Sequence, residues 1–97
     1  MIDQEEEWKK RWKEMLEEAK RELEKRDCVL VAEDRVECLD GDCVYDYRVI
    51  FAFKKYEYAH VWLKTFRREC DVVDYDVYYD SGIDAWILEI TYHSHKH

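Results

Sequence analysis

The chain has 97 residues, and its 24 acidic against 16 basic side chains give a net charge of −8. This length supports one domain with a single core, and an apolar share of 47% is typical of a packed globule. Negative charge disfavours direct binding to nucleic acid, whose phosphates it would repel. It favours a basic protein surface as partner, although charge that serves only solubility is the simpler interpretation.

No run of residues approaches the roughly 18 apolar positions of a transmembrane helix, and residues 3–26 are too densely charged for a secretory signal. We therefore expect a cytoplasmic protein without membrane contact. Four cysteines are many for a short intracellular chain. Intracellular disulfides and heavy use of Glu, Lys and Arg are both found in hyperthermophiles, so the composition is consistent with a thermophilic source.

The first predicted element is a helix over residues 3–26. Asp3 and Glu6 form a capping-box pattern, and basic Lys25 and Arg26 suit the negative end of the helix dipole. This helix is expected to bury one face in the core or against a second subunit. Its apolar stripe comprises Trp8, Trp12, Met15, Leu16, Ala19 and Leu23.

Residues 28–54 are predicted to form a hairpin, because Asp40-Gly41 suits a two-residue type I′ turn. That turn sets the register of the two strands. Two opposite-charge pairs then fall on one face, which supports the assignment. The predicted cross-strand pairs include Ala32–Val49, Val31–Ile50, Glu33–Arg48 and Arg35–Asp46.

A second helix is predicted over residues 56–70, where apolar residues recur at spacings of three and four. A second hairpin follows over 72–92, and residues 93–97 form a frayed tail. For this hairpin, burial favours a four-residue turn from Asp80 to Ile83. That turn predicts the pairs Val73–Ile90, Tyr75–Leu88 and Val77–Trp86.

The whole chain, residues 1–97, therefore reads as one α+β domain of order αββαββ. A ferredoxin-like βαββαβ domain whose first strand has moved to the end would have this order. We expect a four-stranded antiparallel sheet with both helices on one face. Charged strands would then protect the edges, in the sheet order 72–79, 84–92, 43–54, 28–38.

In that arrangement, one sheet face would expose a contiguous apolar patch. A solvated sheet face should be polar, and an apolar patch rimmed by charge usually marks an association surface. We therefore expect a homodimer, or a partner site, on this outer face. The alternative is that helix one covers this face while helix two covers the other. The patch comprises Val29, Val31, Ile50, Ala52, Ala85 and Ile87.

Cys38 and Cys43 flank the first turn at a predicted non-hydrogen-bonded pair, where a disulfide is sterically reasonable. Reduced cysteines are equally plausible there, and Cys28 at the opposite end of the sheet is expected to be free. Cys38, Cys43, Cys70 and His93 share one end of the predicted sheet, and thiolate and imidazole are zinc ligands. Their spacing lacks a second tight ligand pair, so we expect no metal and no cofactor.

The second hairpin is rich in aspartate, which would create a field that steers association with a basic site. Asp74 and Asp76 share a strand face, which also suggests a small metal-dependent nuclease or hydrolase, but no motif gives them a catalytic geometry. We expect a non-enzymatic binding protein; a structural assembly protein is a further alternative. The acidic residues are Asp71, Asp74, Asp76, Asp80 and Asp84.

The hairpin Val72-Val73-Asp74-Tyr75-Asp76-Val77-Tyr78-Tyr79 with Trp86-Ile87-Leu88-Glu89-Ile90, in a short acidic chain with cysteines, resembles small proteins of archaeal viruses. Some of these, including anti-CRISPR proteins, pair a ferredoxin-like sheet with an acidic surface that docks on a host effector. The resemblance covers about a quarter of the chain and assigns no residue a role. It implies a protein that inhibits or masks a basic site on its partner, such as a nucleic-acid-binding site.

Overall fold

A computed structural model of the chain describes residues 10–37 and 45–93. Residues 10–14 are helical, Met15 forms a turn, and helix α1 spans Leu16–Leu23. Then follow β1 (Cys28–Glu37), β2 (Tyr45–Phe53), α2 (Tyr56–Glu69), β3 (Asp71–Asp80) and β4 (Ala85–His93). The predicted α+β class is confirmed. The capping pattern of Asp3 and Glu6 and the Asp40-Gly41 turn lie outside the described residues.

The four strands form one antiparallel sheet in the order β1-β2-β4-β3. This is the predicted order, and the four-stranded antiparallel sheet is compatible with that of a small ferredoxin-like α+β fold. Helix α2 connects β2 to β3, and β4 lies between those two strands. The β-branched and aromatic residues of β4 suit this central, doubly covered position.

The two helices lie on opposite faces of the sheet, so the expectation that both share one face is wrong. Trp12, Ala19 and Leu23 pack against one set of strand residues, which we call the α1 core. Ala59 and Leu63 pack against the other set, the α2 core. Successive residues of β4 alternate between the two cores, because strand side chains point to opposite faces. Each sheet face carries a cluster of apolar side chains, and each cluster needs a helix to cover it.

The six residues expected to form an exposed interface are buried under α1 and the helical residues before it. Ala52 and Ile87 have no exposed surface, and Ile50 is 1% exposed. The alternative, in which helix one covers this face, is therefore what the structure shows. Because helical residues of the same chain cover these six side chains, they belong to the core and do not form an exposed patch. All six belong to the α1 core: Val29, Val31, Ile50, Ala52, Ala85 and Ile87.

The register of β1 and β2 begins as predicted and then shifts by one residue. Cys28 lies opposite Phe53 and Leu30 opposite Phe51, but Ala32 then lies opposite Ile50 instead of Val49. The extra residue is a bulge, which lets two consecutive residues of one strand oppose a single partner. Both Val31 and Ala32 thereby pack in or against the α1 core. The predicted pairs Glu33–Arg48 and Arg35–Asp46 are wrong as a result, and Glu33 lies opposite Val49 instead.

In the second hairpin, the strand residues lie on the predicted sides of the sheet, but the pairing between the two strands is shifted by two residues. Tyr75 lies opposite Ile90, Val77 opposite Leu88 and Tyr79 opposite Trp86. The turn spans residues 81–84, because the Asp80 carboxylate accepts hydrogen bonds from the backbone amides of Gly82 (2.8 Å) and Ile83 (3.3 Å). Such side-chain bonds to following amides stabilise tight turns. They leave Asp80 paired with Ala85 and direct Ile83 into the α1 core.

A membrane-spanning role for the described helices is not supported, since neither their length nor their apolar content suffices to cross a bilayer.

Ile50→Glu tests whether the α1 face is covered. A carboxylate at this buried position would lose its hydration without gaining a partner. We therefore expect the free energy of unfolding to fall by at least about 4 kcal/mol. Urea denaturation followed by circular dichroism measures this change. Leu30→Glu is the control on the same strand pair, because Leu30 is 48% exposed and should cost less than about 1 kcal/mol. A folded Ile50→Glu monomer derived from a wild-type dimer would contradict the covered face.

Candidate functional site

The edge strand β3 carries four of the five predicted acidic residues. Asp76 lies opposite Glu89 and Asp80 opposite Ala85, and Ala85 belongs to the α1 core. Alternation along the strand therefore places Asp74, Asp76 and Asp80 on the α1 side of the sheet. Asp84 lies in the turn, where its carboxylate accepts a hydrogen bond from the Tyr79 hydroxyl. The structure thus groups the strand aspartates and separates Asp84 from them.

The carboxylates of β3 share their sheet face with Asp46 and Glu89, and also with one basic side chain, Arg48, which lies in the row of Asp74 and Thr91. Across the strands, Asp71 lies opposite His93, and His93 lies opposite Asp46 on its other side. Asp76 lies opposite Glu89. Helix α1 makes its main strand contacts with β1 and β2, and within the described residues Asp71, Asp74 and Asp76 are exposed while Asp46, Asp80 and Glu89 are partly buried. We define the acidic face as Asp46, Asp71, Asp74, Asp76, Asp80 and Glu89.

One end of the acidic face is internally paired. The Nδ1 atom of His93 lies 2.5 Å from an Asp46 carboxylate oxygen, and both side chains are about three quarters buried (25% and 22% exposed). Sequence reasoning placed His93 in a frayed tail and considered it as a metal ligand, whereas it ends β4. The signal it missed was the cross-strand position of His93 between Asp46 and Asp71.

Asp74 and Asp76 form the open end of the acidic face. Both are exposed, and neither forms an ion pair with another residue of the described ranges 10–37 and 45–93. The Asp74 carboxylate accepts only a local hydrogen bond from the backbone amide of Tyr75, at 2.9 Å. Their charges are therefore available to an approaching cation.

The pKa of Tyr78 is affected by the carboxylates of the acidic face. Its pKa is raised above the ordinary value of 10.0, first because the side chain is partly buried. The charge of Glu89 and a hydrogen bond to its carboxylate raise the pKa further, as do the charges of Asp80 and Asp76. Each of these effects disfavours a phenolate, since burial and neighbouring negative charges penalise the ionised form.

The other side of β3 exposes aromatic and apolar surface. Tyr75 and Tyr79 are 47% and 48% exposed, and Val73 at the bulge is 51% exposed. The Arg67 guanidinium lies 5.6 Å from the Tyr75 ring centroid, a cation–π contact. The predicted pairs Val73–Ile90 and Tyr75–Leu88 placed Val73 and Tyr75 on a core face, and alternation along the strand placed Tyr79 there too. They stay half open because β3 is the outermost strand beside α2, and tyrosine is enriched at protein interfaces.

A groove lies on the α2 side of the sheet above β1 and β2. Its volume is about 610 Å³, and Tyr47 and Tyr92 stack in its wall with ring centroids 5.3 Å apart. Burial raises the pKa of Tyr92, with smaller contributions from Cys70, Tyr47 and Glu33. The described residues that line it are Glu33, Asp34, Arg35, Tyr47, Val49 and Tyr92.

Two of the four cysteines lie in the described ranges, and both Cys28 and Cys70 are free thiols. This agrees with the prediction for Cys28. The disulfide candidate Cys38–Cys43 lies outside the described residues. Within residues 10–37 and 45–93, no group of three or more His, Cys, Asp or Glu side chains is arranged to hold a metal ion.

Comparisons of the chain with protein-family models, with curated proteins and with solved structures returned no match.

The raised pKa of Tyr78 predicts a pH-dependent stability. Below pH 10 the phenol is neutral in both states, so its contribution to folding is complete; above pH 10 the unfolded chain ionises first and stability falls. Tyr78→Phe should therefore lose less stability than wild type between about pH 8 and about pH 11 in urea denaturation. The matched control is exposed Tyr58→Phe, which should follow wild type. Equal losses in all three proteins would contradict the assignment.

Burial also raises the pKa of the Cys28 thiol to about 11. In a variant with the other three cysteines replaced by serine, Cys28 should react with iodoacetamide at about pH 8 roughly a hundredfold more slowly than in urea, because the thiolate is the nucleophile. Mass spectrometry of the alkylated fraction over time measures both rates. Equal rates in buffer and in urea would show that the thiol is not protected by the fold.

Proposed function

We propose that this protein is a non-enzymatic, cytoplasmic binding domain whose acidic face engages and masks a basic surface on another protein. One observation carries the proposal: Asp74 and Asp76 are exposed, aligned on one strand face and without ion pairs among the described residues. The net charge of −8 adds a long-range attraction for basic surfaces. A basic nucleic-acid-binding site is one such surface, because occupation by carboxylates would exclude phosphates.

The structure changes how the partner would be engaged. The outer sheet face, where we expected a homodimer, is occupied by α1 of the same chain. The proposal therefore places binding on the exposed aspartates of β3, and it does not depend on dimerisation through Ile50 and its neighbours. The exposed tyrosines on the other side of β3 would add apolar contact area.

Charge reversal tests the proposal with a lysine- and arginine-rich peptide as the probe. Asp74→Lys combined with Asp76→Lys should weaken binding at least about tenfold, or about 1.4 kcal/mol, because it replaces attraction by repulsion at the contact. Isothermal titration calorimetry at two salt concentrations measures the affinity and its screening.

The matched control is Glu57→Lys with Glu69→Lys, which changes the net charge equally. These two residues are exposed on α2, on the opposite side of the sheet. We expect the control to lose only the weak contribution of total charge. If both double variants weaken binding to the same extent, the acidic face is not a specific site. Thermal melts confirm that the compared proteins are folded.

A further inference from the structure

The outer edge of β3 offers a place where a strand of a partner protein could pair. β3 is ten residues long and stands at one end of the sheet, where β4 is its only neighbouring strand within the described residues. The backbone groups that do not face β4 point outward, and an edge of this length is a ready template for another strand. Proteins often shorten or cover such edges, whereas this strand runs the full height of the sheet.

The two sides of this edge carry different chemistry. Asp74 and Asp76 project on the α1 side, while Tyr75 and Tyr79 project half exposed on the α2 side. A strand added at this edge would place every second side chain beside the aspartates and the others beside the tyrosines. Charges that only prevented aggregation would not require exposed tyrosines on the opposite side.

A second copy of the chain is a poor occupant of this edge. In antiparallel pairing of β3 with itself, side chains that lie opposite each other come from the same face. A pairing centred on any residue from Asp74 to Val77 then sets two aspartates opposite one another. Like charges directly opposite are destabilising. The same carboxylates would favour a strand with cationic side chains at those positions.

We propose that β3 binds an extended segment of a partner protein by strand addition, from Asp74 to Asp80. The segment carries Lys or Arg at alternate positions, which pair with Asp74 and Asp76, and apolar residues between them, which pack on Tyr75 and Tyr79. This inference rests on the proposed function, since it specifies how the acidic face recognises a basic partner. Main-chain hydrogen bonds supply affinity in this binding mode, and alternating side chains supply specificity.

The probes are three nine-residue peptides of alternating Arg and Val: one unmodified, one N-methylated at every Arg and one N-methylated at every Val. In an added strand, the amides of alternate residues face β3, so only one of the two methylated sets removes bonding donors. Titration calorimetry gives the affinities. Amide hydrogen exchange of the full-length protein, followed by NMR, locates newly protected backbone groups.

The expected result is that one methylated peptide binds at least about tenfold more weakly, while the other methylated peptide keeps its affinity. The unmodified peptide should also protect outward amides of β3 from exchange. Asp74→Lys with Asp76→Lys should weaken binding of the unmodified peptide at least about tenfold, whereas Glu57→Lys with Glu69→Lys should lose only the weak contribution of total charge.

Two other outcomes separate the two proposals. If all three peptides bind equally and no β3 amide gains protection, yet the aspartate reversal weakens them all, strand addition is overturned and charge recognition stands. If the aspartate reversal has no more effect than its control, both proposals fail. Protection confined to β1, the other edge of the sheet, would also overturn the assignment to β3.

Discussion

Each face of the sheet carries a cluster of apolar side chains, and the rest of the structure depends on covering both clusters. β4 shows this most clearly, because Ala85 and Ile87 are buried on one side while Leu88 and Ile90 are buried on the other. A single layer of helices can cover only one face. Leaving the other face open would expose apolar side chains at a cost of about 25 cal/mol for each Å². The chain therefore places its two helical segments on opposite sides of the sheet.

The two edge strands adapt to these cores through bulges. In β1 the shift between Leu30 and Ala32 gathers Val31 and Ala32 toward the α1 core and turns Glu33 to the other face. In β3 the shift between Val72 and Asp74 lets Val72 and Val77 share the α2 core despite their odd spacing. A bulge reverses which residues face each side beyond it. Without it, Val72 would face the α1 side and Asp71 the α2 side, whereas Asp74, Asp76 and Asp80 are held on the α1 side by the unbroken pairing from the turn.

The offset of the two helices explains why the acidic face is open. Helix α1 lies over β1 and β2, while α2 lies over β2, β3 and β4. Asp71, Asp74 and Asp76 on the α1 side of β3 are therefore exposed among the described residues, and they carry carboxylates where the covered strands carry apolar residues. Tyr78 lies between the buried residues of the α1 core and the carboxylates of β3. Its raised pKa reflects both its partial burial and nearby Glu89. Exposed tyrosines on the other side give this one strand both polar and apolar contact surface.

By itself, the sequence determined the element types and their order, because hydrophobic periodicity and turn residues act over a few neighbouring positions. The order αββαββ then indicated the strand order through the ferredoxin-like topology. The sequence also identified the acidic residues of β3 and the apolar residues of the α1 face. Only the tertiary structure decided that the latter are covered by α1, since a helix stripe such as Trp12, Ala19 and Leu23 can pack on either sheet face with the same local pattern. The bulges and the shifted turn at Asp80 were likewise decided in three dimensions. A one-residue change in register costs little locally, and the balance is set by which side chains the two cores can bury.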